Sequence, residues 1–193
     1  MRLFLAVEVD REVRAAVARL LGEVQAALDR VERGASRGVK WSEPDRMHLT
    51  LHFLGEVSGH VVERLEQVLA PPLSTPAFLV EFGGIGAFPP GRGAPRVLWL
   101  GCTGGASDLQ RAHRELADRL AAVPVAVDAR PFSPHLTLGR FRDPGSPRVR
   151  TAWEQAAEPR VGACRVDAVT LFESRLSSAG PHYTTRLRIP LGS

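Results

Sequence analysis

The tetrapeptide His48-Leu49-Thr50-Leu51 returns letter for letter as His135-Leu136-Thr137-Leu138. In a chain with six histidines, chance repetition of the next three residues is roughly a one-in-a-hundred event, so internal duplication is the first constraint on the fold. On a strand, alternate side chains take opposite faces, which puts His and Thr on one side and both leucines on the other. Each strand then offers an imidazole and a hydroxyl about 6–7 Å apart along the backbone. Two such strands related by a pseudo-twofold axis would bury four leucines and aim two His and two Thr into one cleft.

The remaining periodicity supplies the frame. Residues 2–9 read as a strand, and Asp10 caps a helix whose apolar stripe is Val13, Val17, Leu20, Leu21, Val24 and Leu28, fading near Gly34. Residues 45–54 read as a strand, and Ser58 opens a helix that Pro71-Pro72 stops. Strands are expected near 77–83 and 95–102, parted by Gly83-Gly84 and the loop Phe88–Gly93. A third helix spans about 107–122 through Leu109, Ala112, Leu116 and Leu120. Strands at 134–142, 164–173 and 182–190 and a short helix near 148–157 complete the pattern. There is no steady βαβ alternation and no glycine-rich phosphate loop after the first strand, so the expected class is α+β with mostly antiparallel sheets.

Composition narrows the function classes. The formal charge is +4, and 24 of 25 basic residues are Arg, with Lys40 the exception. Guanidinium groups suit phosphate and nucleic acid, but these arginines are scattered and also fit a G+C-rich coding bias, so charge alone names no partner. No apolar run reaches the roughly 18–20 residues of a membrane span, and the acidic Glu8 and Asp10 follow the N-terminal apolar run too soon for a signal peptide. A cytoplasmic protein without membrane or obligate protein partner is expected. Cys102 and Cys164 match no metal spacing and read as small buried apolar residues.

Two imidazoles and two hydroxyls facing one cleft suit phosphodiester cleavage. One neutral imidazole takes a proton from the attacking water while a protonated one supplies the departing oxygen. Histidine serves both roles because its pKa lies near neutrality. Thr50 and Thr137 can donate to the non-bridging oxygens as charge builds there. No metal or other cofactor is required.

With these motifs the sequence resembles the two-histidine phosphoesterase superfamily, whose signature is a pair of H-x-[T/S]-x motifs. Val39-Lys40-Trp41, Phe53-Leu54-Gly55, Arg96-Val97-Leu98-Trp99, Ser133-Pro134, Arg140, Leu171-Phe172-Glu173-Ser174 and Gly180-Pro181-His182-Tyr183 are similar to the bacterial and archaeal RNA 2′,3′-cyclic phosphodiesterases, formerly called 2′-5′ RNA ligases. The resemblance implies a bilobal α+β fold, one domain over residues 1–193 with two interleaved lobes. Two antiparallel sheets would line a central groove, with helices outside. It implies hydrolysis of terminal 2′,3′-cyclic phosphate on RNA or cyclic nucleotides to a 2′-phosphate, with His48 as proton donor and His135 as proton acceptor. The spacing itself leaves that order open, because the two motifs are identical. Non-catalytic binding of RNA ends and reversible 2′-5′ joining use the same residues and stand as alternatives.

Several further residues are candidates. His52 has the strand parity of His48 and Thr50 and is expected to line the groove. On a straight strand it lies about 13–14 Å from His48, too far to share a metal ion. Arg140 has the wrong parity relative to His135 unless a bulge at Gly139 turns it back; the resemblance implies a phosphate or RNA contact there, against the alternative of a surface ion pair. Tyr183, Trp41, Phe88 and Trp99 are candidates to stack a base, against the ordinary alternative of core packing. His60, His113 and His182 receive no role.

Overall fold

The computed structural model describes the chain apart from residues 129, 144–145, 155–159, 178–179 and 193. It is α+β, with two sheets whose strand pairs are all antiparallel. The first sheet holds β1 (Arg2–Glu8), β3 (His48–Glu56), β8 (Ala168–Ser177) and β9 (Gly180–Pro190) in the order β3-β1-β8-β9. The second runs β2-β6-β5-β4-β7, from β2 (Val39–Trp41), β6 (His135–Phe141), β5 (Val97–Gly104), β4 (Phe78–Phe88) and β7 (Arg160–Val166).

The helices form where the apolar stripes predict them. In α1 (Arg11–Val31) the Asp10 carboxylate accepts from the Val13 N–H at 2.8 Å, and the buried residues are the six of the expected stripe. In α3 (Ala106–Leu120) they are Leu109, Ala112, Leu116 and Leu120, and α2 (Gly59–Leu69) ends just before Pro71-Pro72. The helices cross between sheets. α1 leaves the first sheet and lies against β7 of the second, whereas α3 leaves the second and lies over β3 of the first, beside α2. One continuous apolar cluster takes in residues of both sheets and all three long helices. Each fully buried Leu or Val in it contributes about 1.5–3 kcal/mol relative to an exposed one.

The structure departs from expectation in four places. The apolar run at 164–173 is two strands, β7 and β8, parted at Asp167 and assigned to different sheets; continuous hydrophobicity carries no mark of a sheet change. β2 was not expected, since three residues are too few for a period to register. β4 continues through Gly83-Gly84, because Gly84 at φ 70° absorbs a register shift against β5 within the strand. Residues 44–46 form a 3-10 turn, so β3 starts at His48. Of the short helix expected near 148–157, a 3-10 turn at Pro147–Arg150 and α4 (Thr151–Glu154) are present, and residues 155–157 lie outside the described residues. No helix among the described residues is long and apolar enough to cross a membrane.

Candidate active site

β3 is the edge strand of the first sheet, β6 lies next to the edge of the second, and the two meet side by side. Both motifs alternate in the same way. Leu49, Leu51, Leu136 and Leu138 are at most 4% exposed, while His48, Thr50, His135 and Thr137 are half-buried on the opposite side. The duplication extends to hydrogen bonding. His48 donates from Nδ1 to the Arg46 carbonyl at 2.9 Å, and His135 donates from Nδ1 to the Ser133 carbonyl at 2.7 Å, each two residues back. A carbonyl can only accept, so the hydrogen sits on Nδ1 in both rings and Nε2 is the nitrogen left to exchange protons.

Both strands also carry an irregularity at the same motif position. Against β1, Thr50 pairs with Ala6 and His52 with Leu5, leaving Leu51 as the extra residue; against β5, Thr137 pairs with Trp99 and Gly139 with Leu98, leaving Leu138 extra. Each bulge inverts the parity of the residues after it in the strand. Leu51 and His52 are buried in succession, as are Leu138 and Gly139, so Phe53 and Arg140 emerge exposed on the His/Thr side. Arg140 thus shares the face of His135, the bulge falling one residue earlier than Gly139. Gly139 has a different use: a side chain there would collide with Val39 and Trp41, so glycine lets β2 close on β6.

His52 is a correction to the sequence reading. It is 2% exposed and turned away from the groove, because the bulge at Leu51 reverses its parity. Its Nε2–H donates to the His113 carbonyl at 2.9 Å, and its ring stacks on that of His113 at 4.0 Å.

The two walls differ in character. Around His48 stand Phe4 at 4.7 Å between ring centroids and Tyr183 edge-on at 5.1 Å, with Phe172 behind them. Around His135 stand Phe88, edge-on at 5.2 Å, and Trp99 at 6.3 Å. Trp41 is engaged elsewhere, donating from its indole to the Ser36 carbonyl. Burial raises the Tyr183 phenol, and the charges of Arg46, Arg2 and Arg140 oppose it. Arg140 also acts on His135, so its field reaches both walls. With β3 and β6 in contact, the face of His48, Thr50 and Tyr183 lies next to that of His135, Thr137 and Arg140.

The electrostatics separate the two histidines. Burial lowers the pKa of both, and the carbonyl bonds partly restore it. Beyond that, Glu8, paired across the ladder with His48, favours its charged form, whereas Arg140 favours neutral His135. Among the described residues no group of three or more His, Cys, Asp or Glu is placed to hold a metal ion.

A family model described as the 2′-5′ RNA ligase superfamily matches residues 18–177. The chain belongs to the 2′-5′ RNA ligase superfamily. This superfamily member is 35% identical over 183 residues to the RNA 2′,3′-cyclic phosphodiesterase of Archaeoglobus fulgidus, covering 95% of this chain and 96% of that one. It is 34% identical over 188 residues to the protein of the same name from Methanothermobacter thermautotrophicus, covering 95% of each. E. coli LigT complexed with 3′-AMP superposes with a TM-score of 0.75 at 25% identity, over 100% of this chain and 98% of that one. TT0787 of Thermus thermophilus gives 0.73 at 28%, over 99% and 98%. Sequence reasoning missed Glu8, Phe4, Phe53 and Phe172 on the site face of this superfamily member. Glu8 could have been found by pairing the first strand with the motif strand, whereas Phe53 depends on a bulge that no residue type announces.

Proposed function

We propose that this chain hydrolyses terminal 2′,3′-cyclic phosphate on RNA or nucleotides to a 2′-phosphate, by general acid–base catalysis between His48 and His135 without a metal. The observation that carries the reading is the matched pair of Nδ1–carbonyl bonds, which sets both rings in one tautomer with Nε2 available for proton transfer. The relatives named RNA 2′,3′-cyclic phosphodiesterase support the substrate.

His135, neutral at Nε2, takes a proton from water as the water oxygen bonds to phosphorus. The bond from phosphorus to the 3′ oxygen breaks, and His48, protonated at Nε2, delivers its proton to that oxygen. Exchange with solvent then resets both rings. Thr50 and Thr137 donate to the non-bridging oxygens, and Arg140 supplies fixed positive charge against the anion. The neighbours support this order of roles: Glu8 favours a proton on His48, and Arg140 disfavours one on His135. Burial lowers both pKa values in the free protein, and the entering phosphate counters this at the acid. Joining RNA ends through a 2′-5′ bond is the same step reversed, and water at high concentration favours hydrolysis.

Phosphorus NMR on a 2′,3′-cyclic mononucleotide tests the reading. A 2′-phosphate product is expected, whereas a 3′-phosphate or unchanged substrate would overturn it. His48→Ala and His135→Ala should each lower turnover by about 10²–10⁴-fold, and a chelator should leave the wild-type rate unchanged.

A further inference from the structure

Behind the groove three rings form a column joining the two motif strands. His52, two residues beyond Thr50, is buried and stacks on His113 of α3 at 4.0 Å between centroids with planes 17° apart. His113 stacks on Phe132 at 4.3 Å and 9°. Phe132 immediately precedes Ser133, whose carbonyl accepts the Nδ1–H of His135. From the bulge that ends the first motif, the column thus leads to the backbone group that orients the second imidazole.

We propose that the His52–His113–Phe132 column is a positioning device that sets the register between the two motifs, holding the Ser133 carbonyl and through it the ring of His135. The inference rests on the acid–base reading above. Residues 121–134, which join α3 to β6, contain no helix or strand among those described. A connection of that length carries conformational freedom that must be removed next to a reacting group. Phe132 supplies an anchor at its far end. The partner is well fixed: His113 sits mid-helix, and its carbonyl accepts the Nε2–H of His52, so ring stack and hydrogen bond tie β3 to α3 together. Near-parallel aromatic rings in contact have a preferred offset geometry that aliphatic packing lacks. Both imidazoles have lowered pKa values, so the column is uncharged at neutral pH and the stacked rings do not repel one another.

The test is His113→Ala, which removes the middle ring while keeping the best helix former in α3. On a cyclic mononucleotide, kcat should fall on the order of tenfold with KM within about twofold. Nitrogen-15 NMR of the substrate-free protein should show His135 losing its single Nδ1–H tautomer. His113→Phe restores a flat ring between His52 and Phe132 and should return both readings towards wild type. Wild-type kcat and an unchanged His135 signal in His113→Ala would overturn the proposal, as would His113→Phe proving no better than His113→Ala. If His113→Ala does not fold, Phe132→Leu retains apolar bulk without the flat face and should show the same losses; its equality with wild type would equally overturn the proposal. A wild type inactive on cyclic phosphate would end the functional reading, while a His135 tautomer change in His113→Ala would still uphold the column.

Discussion

Identical tetrapeptides sit among different neighbours. Glu8 stands opposite His48 on the paired strand, and Arg140 follows His135 on its own strand. Glu8→Gln keeps the acceptor for the Thr170 hydroxyl at 3.2 Å and removes only the charge. It should lower the pKa of His48 and move the limb of the pH–rate profile tied to the acid to lower pH, measured as kcat/KM across pH 5–9. Arg140→Gln should do the opposite at the base, raising the His135 pKa and moving its limb to higher pH, with KM also raised. Thr50→Val and Thr137→Val retain β-branching and shape, so each should lower kcat by about 10–10³-fold with the fold intact. The counterpart of Arg140 on the other strand is Phe53, 48% exposed and 6.4 Å from the ring of Phe4. The pseudo-symmetry therefore holds for the backbone and breaks in the side chains.

At the level of the element, the bulges at Leu51 and Leu138 decide which residues reach the site. One extra residue puts Arg140 on the face of His135 and His52 on the face opposite His48, where it meets His113 of α3. His113 has a consequence for acid stability. Burial, then the facing His52 and adjacent Arg114, depress its pKa from 6.5 to about 4. The folded state therefore binds fewer protons than the unfolded one in that interval. The stabilisation is complete above pH 6.5 and is lost as pH falls through about 4. Urea unfolding of wild type should weaken over this window, and His113→Phe should lack that part of the loss. Leu138→Ala, at a fully buried site, should cost about 2–5 kcal/mol in the same measurement at pH 7.

For the whole molecule, the crossing of α1 and α3 between the sheets and the continuous apolar cluster predict one cooperative thermal transition; two separated transitions by calorimetry would contradict it. The excess of arginine predicts that KM for an RNA oligomer rises more steeply with salt than KM for a cyclic mononucleotide, since only the oligomer has further phosphates to neutralise. The sequence by itself determined the helices, the α+β class and the alternation within each His-Leu-Thr-Leu, because these follow from local periodicity, capping and the two-residue repeat of a strand. Tertiary structure alone decided the sheet change at Asp167, the bulges that exchange His52 for Phe53 and bring in Arg140, and the placing of Glu8 beside His48. Those depend on which strand pairs with which and in what register, an energy shared between segments distant in the chain that no single segment encodes.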